Sequence, residues 1–581
     1  MTETFIIDPL QETTALMSNS SLKKEYRSSG ASLRAALFLN AVFLILTVLI
    51  VRAGFESNDD PTLAAFVDGQ MAQCTSYVPY INIVLGWLLR HIYDALGRDI
   101  AWHTFCQYAL LYAGFTALSF AICERVGTLR GAAVTTVLLL FFGVDVYCII
   151  NYTKTAAVCT VGGMALLLHA YEREGRHPSA LVFGVVLCVM GFMLRQMEFL
   201  PCYALMAVLC LRPLWDILAS KENAGEKLRR FGSLARPFVL VLAISAALYA
   251  VNEYAWSKEP WSVYHKFDKV RVAYSDYGRP AYDAMPEAYD ALGLSEADVQ
   301  LLYDSDYFDP EVFSAETMQA IADARDAIFP RPSIGECVGL FLDKAIPGFF
   351  VNLHVYGFLL ILVLWLAAGE HRLRDWLVVA CEGALFAAAY LYLIWRGRYL
   401  VDRVDLGLLL AAASVLALTL DGEKLRREKM LTVLVLLLAV GTSHYLMRDW
   451  YRSAPAEDRS ETRAAYERML KDTDHVYFAK LDAVTDGLWS PFEPYPQGYW
   501  DRIVLLGGFD CLHPTIMDNL ARYGVENPYR DCVGNSKVYL IEDNIDLTLQ
   551  YIHEHYDPNA HARLVEPLSS ETGMDIYRIL K

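Results

Sequence analysis

The stretch "AALFLNAVFLILTVLIVRAGFESNDDPTLAAFVDG", residues 35–69, joins an uninterrupted apolar run to two adjacent carboxylates, Asp59 and Asp60. An apolar block of this length approaches the roughly 20 residues needed to cross a hydrocarbon core. Similar blocks recur along the chain, "MLTVLVLLLAV" among them, and 55% of its 581 residues are hydrophobic. A soluble protein of this size has no reason to string its apolar residues together in this way. The sequence therefore predicts an α-helical, multi-pass membrane protein.

Eleven spans are expected, at 33–53, 102–122, 131–150, 153–170, 179–196, 198–214, 237–256, 347–368, 377–395, 404–420 and 430–447. Lys23, Lys24, Arg27 and Arg34 precede the first span and set the N-terminus, 1–32, in the cytoplasm. The basic loops "EREGRH", "SKENAGEKLRR", "EHRLRD" and "DGEKLRREK" then also fall inside, and the C-terminus falls outside. The segment 80–97 carries apolar residues at helical spacing with Asn82, Gly86, Arg90 and Asp94 on the other face. It reads as a helix lying in the membrane interface, with a tilted span as the alternative.

Three segments face outward on this count: a first loop at 54–101, an insertion at 257–346, and a soluble tail at 448–581. The tail alternates short β-rich runs ("HVYFAKL", "RIVLLGGF", "KVYLIED", "DIYRIL") with helical patterns, as in a small α/β domain. No cleavable signal peptide, internal repeat or basic nucleic-acid-binding tract is present. The net charge of −17 lies mostly in the polar segments and specifies no partner. Among the twelve Cys there is no CxxC spacing; Cys511 and Cys532 fall in the outward tail, where a disulfide is permitted.

Outward-facing basic residues break the positive-inside bias. Lys154 ("NYTKT"), Arg195 ("FMLRQMEF"), and Arg396, Arg398 and Arg403 ("WRGRYLVDRV") are expected at the membrane face that bears Asp59 and Asp60. Singly, each is explained by snorkelling or by pairing with an acid such as Glu198 or Asp402. As a set they suit the oxygens of a lipid phosphate. The acid pair reads in part as a helix cap before Pro61, which accounts for one Asp but not both. Two carboxylates held together suit a general base, or the oxygen ligands of a divalent cation. His354 and Glu382 lie inside expected spans, as helix–helix hydrogen-bonding groups or functional ones. His553, Glu554 and His555 do not share a helix face and read as surface residues. "NYT" at 151 matches a glycosylation pattern but abuts a span.

Taken together, "SNDDPTLAAFVDG" followed by "YVPYINIVLGWLLRHIYDALGRDIAWHTF" resembles the first outward loop of GT-C type glycosyltransferases. "NYTKTA", "FMLRQ", "RGRYLVDRV" and "LGLSEADVQLL" are similar to a group of uncharacterised bacterial membrane proteins. The resemblance covers the chain to about residue 445 and, more loosely, the tail. It implies a GT-C-like membrane domain over 33–447 and inverting transfer of a hexosyl or pentosyl unit from a polyprenyl-phosphate donor. The acceptor would be a glycan, lipid or protein outside the cytoplasm. Asp59 or Asp60 would act as base, with Lys154, Arg195, Arg396, Arg398 and Arg403 on the leaving phosphate. Many relatives carry Asp-Glu where this chain has Asp-Asp, which leaves the identity of the base and any need for a metal open. A lipid or polysaccharide flippase, expected to show inverted repeats and broken helices, and a non-catalytic envelope scaffold are the other two readings.

Overall fold

The computed structural model describes residues 9–50, 53–57, 59–173, 177–368, 371–398, 401–427, 429–453, 460–480 and 488–581. Asn58 of the opening motif, 51–52 at the end of the first span, parts of the loops at 174–176 and 370, and 399–400 in the basic turn lie outside the described residues.

Each of the eleven expected segments is helical over most of its described residues. Among the described residues seven helices are long and apolar enough to cross a membrane: Ser29–Ile50, Trp102–Val126, Thr128–Cys148, Gln196–Ala219, Ala224–Trp256, Leu373–Trp395 and Lys429–Met447. Ile334–Gly348 and Leu353–Ala367 pass the same test only when taken together and meet at 94°, as the halves of a broken span or a re-entrant loop do. A broken helix, expected of a flippase and not read from the apolar pattern of 347–368, is thus met once among the described residues. Pro347 and the Asn352 cap, whose side chain accepts from His354 N, sit at the bend. The other three segments are Tyr152–Glu172, the 17-residue Pro178–Leu194, and Asp402–Thr419. The first is buried from Tyr152 to Ala170 and the third from Asp405 to Thr419. A helix wrapped by other helices meets no lipid, so it tolerates polar residues that a lipid-facing helix excludes. Glycines permit this close packing: a Cβ on Gly162 would stand 2.2 Å from the carbonyl oxygen of Gly114.

Residues 83–96 form a 14-residue helix capped by Asn82. At about 1.5 Å per residue it reaches about 21 Å, short of the roughly 30 Å hydrocarbon core. It buries Leu85, Gly86, Leu89 and Tyr93, while Trp87 and Leu96 are exposed.

The tail carries a five-stranded sheet in the order β4-β3-β5-β7-β6. Strands β3 (Val476–Ala479), β4 (Ile503–Leu505) and β5 (Val538–Glu542) are parallel, with Phe478 opposite both Val504 and Leu540. β7 (Asp575–Leu580) runs antiparallel to β5 and to the edge strand β6 (His561–Pro567). The four expected strands are present; β6 has no apolar alternation because its residues are mostly exposed. Cys511 and Cys532 are both buried free thiols.

The C-terminal ends of parallel strands in an open α/β sheet usually frame a ligand crevice. Here the outer insertion fills it. Phe308 N donates to Leu506 O at 2.8 Å, and Tyr529 OH donates to Asp306 O at 3.0 Å. Gly507 leaves room for this approach, because a Cβ there would lie 1.6 Å from Ser305 O. The buried Asp309 carboxylate accepts from Asn527 Nδ2 at 2.8 Å, from Tyr551 OH at 2.7 Å, and from Tyr556 OH.

The tail also grips the first loop. Gln70 Nε2 donates to Tyr495 O at 3.1 Å, and Ala72 N donates to Asp501 Oδ1 at 2.5 Å. The fully buried His513 ring packs on Phe66, with centroids 4.3 Å apart, and its Nε2 lies 3.0 Å from Tyr77 O. The three segments expected to face outward thus form one packed body.

Candidate active site

The acid pair opens the helix Asp59–Asp68 immediately after β1 (Gly54–Phe55). That two-residue strand pairs in parallel with β2 (Ile149–Ile150), Gly54 opposite Ile149 and Phe55 opposite Ile150. Asn151 follows β2 and caps the helix Tyr152–Glu172, its side chain accepting from Thr153 N at 2.8 Å. The small ladder therefore sets the acid pair at the N-terminus of that helix, where unpaired N–H groups favour negative charge. Asn151 is itself fully buried, so the "NYT" pattern offers no acceptor for a glycan.

The two aspartates have different surroundings. Asp60 is fully buried; its Oδ1 accepts from Gln107 Nε2 at 2.7 Å, and Tyr152 N lies 3.2 Å from Oδ1 and 3.3 Å from Oδ2. Burial pushes its carboxyl up to about 8, the neighbouring charges of Asp59 and Glu56 add to the rise, and the Gln107 and Tyr152 hydrogen bonds oppose it. Asp59 is partly exposed, and its backbone N–H donates to Ser57 Oγ at 3.3 Å. Among the described residues no side chain donates to its carboxylate.

The five expected basic residues divide into three settings. Lys154 is buried, its Nζ 2.6 Å from Asp145 Oδ1 and 2.9 Å from Glu56 Oε2. His354 Nε2 completes the cluster, 3.0 Å from Asp145 Oδ2, which gives the intramembrane histidine a charged partner. Lys154 is thus neutralised by two carboxylates. Arg403 approaches the other oxygen of Glu56 at 3.8 Å.

Arg195 ends one helix and begins the next. Its guanidinium lies 4.6 Å from the ring centroid of Tyr80 and 5.4 Å from that of Tyr152, and Asp59 and Asp276 are among the charges acting on it. Glu198, three residues on, is buried against Gly407, where a Cβ would stand 1.9 Å from Glu198 Oε1. Tyr80 adopts a left-handed backbone, φ 63°, and its hydroxyl accepts from Arg271, which also pairs with Asp268 at 2.5 Å. Arg396 and Arg398 reach the insertion instead. Arg396 stacks 4.2 Å over Tyr277, and Arg398 Nη2 lies 3.3 Å from Asp276 Oδ2.

The structure therefore brings Asp59, Asp60, Lys154, Arg195 and Arg403 into one neighbourhood through Glu56 and Tyr152, with Arg398 joined to it through Asp276. Sequence reading missed Glu56, Gln107, Asp145, Tyr152, Tyr80 and Arg271. Glu56 stood inside the opening motif, three residues from Asp59, and Tyr152 and Tyr80 stood inside the quoted "NYTKT" and "YVPYINIV" stretches; Gln107, Asp145 and Arg271 lie outside every quoted motif. Asp59, Asp60 and Glu56 do not converge as a three-donor metal group among the described residues. Glu382 is buried, and neither of its oxygens has a hydrogen-bond partner among the described residues.

Two cavities are present near this region. One of about 250 Å³ is lined by Leu340, Lys344, Tyr390, Leu393, Ile394 and Arg398, two cations among apolar side chains. A groove of about 480 Å³ is lined by apolar and aromatic residues of the first two spans, Val48, Tyr108 and Tyr112 among them, with Phe492 of the tail above it.

No protein-family model matches the chain, and no curated protein sequence matches it. Among solved structures it is similar to ArnT from Cupriavidus metallidurans bound to undecaprenyl phosphate, with 11% identity over 94% of this chain and 97% of that one, at a TM-score of 0.39. The apo state of the same protein matches at 11% identity over 93% and 97%, also at 0.39. The oligosaccharyltransferase of Archaeoglobus fulgidus in complex with zinc and sulfate matches at 12% identity over 94% of this chain and 73% of that one, at 0.43.

Proposed function

We propose that the chain is a membrane glycosyltransferase that moves a sugar from a polyprenyl-phosphate donor to an acceptor outside the cytoplasm, with inversion at the anomeric carbon. The carrying observation is the unequal acid pair, one carboxylate anchored and one open, set beside Arg195 and at a helix N-terminus. In this reading Asp59 takes the proton of the acceptor hydroxyl as its oxygen attacks the anomeric carbon. The bond from that carbon to the phosphate oxygen breaks, and the polyprenyl phosphate leaves with the electron pair. Arg195 and Arg398 stabilise the charge that develops on it. Asp60 acts as a positioning residue that ties the acid-pair helix to Gln107 and Tyr152. Lys154 and Arg403 hold Glu56, and with it the turn that carries the pair. The cavity lined by Lys344 and Arg398 suits a phosphate with an apolar tail, cations for the head and Leu340, Leu393 and Ile394 for the chain. Undecaprenyl phosphate, the lipid bound in the ArnT structure, belongs to this class.

The test replaces Asp59 and Asp60 singly by Asn in cells lacking the native gene and follows envelope glycans by mass spectrometry. Asp59→Asn is expected to lose transfer by about 10²-fold or more while inserting normally. Full modification with both variants would sink the enzyme reading. Loss of modification with normal insertion would sink the scaffold reading.

The 94° bend between Ile334–Gly348 and Leu353–Ala367 favours a second reading, a lipid flippase, since broken helices line transport sites. Liposomes containing the purified chain separate the two. A flippase moves a labelled polyprenyl-phosphate sugar across the bilayer without breaking its glycosidic bond.

A further inference from the structure

The tail helix Ile545–His555 meets the insertion helix Glu296–Asp304 at a point that the proposed transfer leaves unused. One donor atom from each of Asp298, Glu554 and His555 lies within 4.8 Å of the other two. Asp298 is fully buried: its Oδ2 accepts from Ser295 N at 2.8 Å in a capping box, and its Oδ1 lies 2.8 Å from His555 Nε2. Glu554 is exposed, and its Oε1 accepts from Gln550 Nε2 at 2.9 Å. The expectation of surface residues holds for the exposed His553 and Glu554 and is corrected for His555 alone. His553 is turned to Ala560 O at 2.6 Å, but His555 is half-buried against an acid more than 250 positions away.

We propose that Asp298, Glu554 and His555 bind a divalent transition-metal cation, zinc foremost, that pins the outer insertion to the tail. The donor set carries the choice of metal. One imidazole nitrogen with two carboxylate oxygens suits zinc, whereas calcium and magnesium favour all-oxygen shells. Three protein ligands leave a fourth position for water. Donors around a tetrahedral zinc at about 2.0–2.2 Å stand about 3.4 Å apart, so Asp298 and His555 separate slightly and the exposed Glu554 swings in. Both tail ligands sit in the last turn of their helix, where unpaired carbonyls favour positive charge. The cation would close a loop of more than 250 residues and reinforce the Asp309 contacts.

The test uses the full-length chain, purified in detergent and treated with chelator. Calorimetric titration with zinc chloride is expected to show one saturable site per chain, with a rise in apparent Tm because the ion binds only the folded protein. Cobalt is expected to give the visible absorption of a low-coordinate ion at the same stoichiometry. Glu554→Gln and His555→Gln should each weaken zinc at least about tenfold, and Glu554→Gln should leave the metal-free Tm unchanged because its side chain is exposed. Asp59→Asn should leave uptake intact. The proposal is overturned if the unmodified chain takes up no zinc saturably, if both Gln variants bind as it does, or if Asp59→Asn alone abolishes uptake. None of these readouts depends on glycosyl transfer, so the two proposals fail separately.

Discussion

At the residue scale, neighbouring identical side chains acquire different surroundings, burial first among the causes. Asp59 and Asp60 share a turn, yet only Asp60 is sealed beneath Gln107 and Tyr152. Burial raises its folded carboxyl from the ordinary carboxylate range to about 8, so the folded state prefers the neutral form. Its contribution to stability is full below about pH 4 and is lost as pH rises towards 8. Asp60→Asn, a neutral near-isostere, should therefore flatten the fall in apparent Tm between pH 5 and 8, measured by intrinsic fluorescence in detergent. Asp68, pushed up to about 7 by burial, adds a slope of the same sign that both proteins share. A similar argument fixes Gly407. A methyl group there meets the Glu198 carboxylate, so Gly407→Ala should cost about 1–3 kcal/mol, read as a lower midpoint of thermal unfolding.

At the element scale, two short features position much longer ones. The β1/β2 ladder is only two residues a side, yet it sets the acid pair against the helix that begins at Tyr152. The Asp309 carboxylate gathers Asn527, Tyr551 and Tyr556, so one side chain couples the insertion to the tail. Asp309→Ala removes the acceptor of these three side chains and of the Glu311 and Val312 backbone N–H groups, each donor worth about 1–3 kcal/mol where buried, though not additively. Limited proteolysis should then cut within 257–346 at protease levels that leave the unaltered chain intact. Membrane insertion should be unaffected, because the spans do not use Asp309.

At the scale of the whole molecule, the packed outer body predicts a topology. The first loop, insertion and tail contact one another, so they lie on one side of the membrane. The Lys/Arg bias predicts that this side is outside. A reporter enzyme that is active only outside the cytoplasm, fused after Lys581, should be active; the same reporter placed after Ala219 should be silent. The reverse pattern would invert the proposed site together with its substrates.

The sequence by itself determined the helical membrane class, where the long apolar helices lie and the strands of the tail. These properties follow from local hydrophobicity: an apolar run of about 20 residues has one stable solution in a bilayer, whatever lies elsewhere. It also marked Asp59 and Asp60, because two adjacent acids after a span stand out without any partner in view. Tertiary structure alone decided which aspartate is open, that Lys154 is neutralised by Asp145 and Glu56, and that Arg396 and Arg398 turn to the insertion. It alone brought Asp298 to His555. Burial, charge pairing and proton affinity depend on groups from 9 to more than 250 positions away, and no periodicity in a single chain encodes those distances.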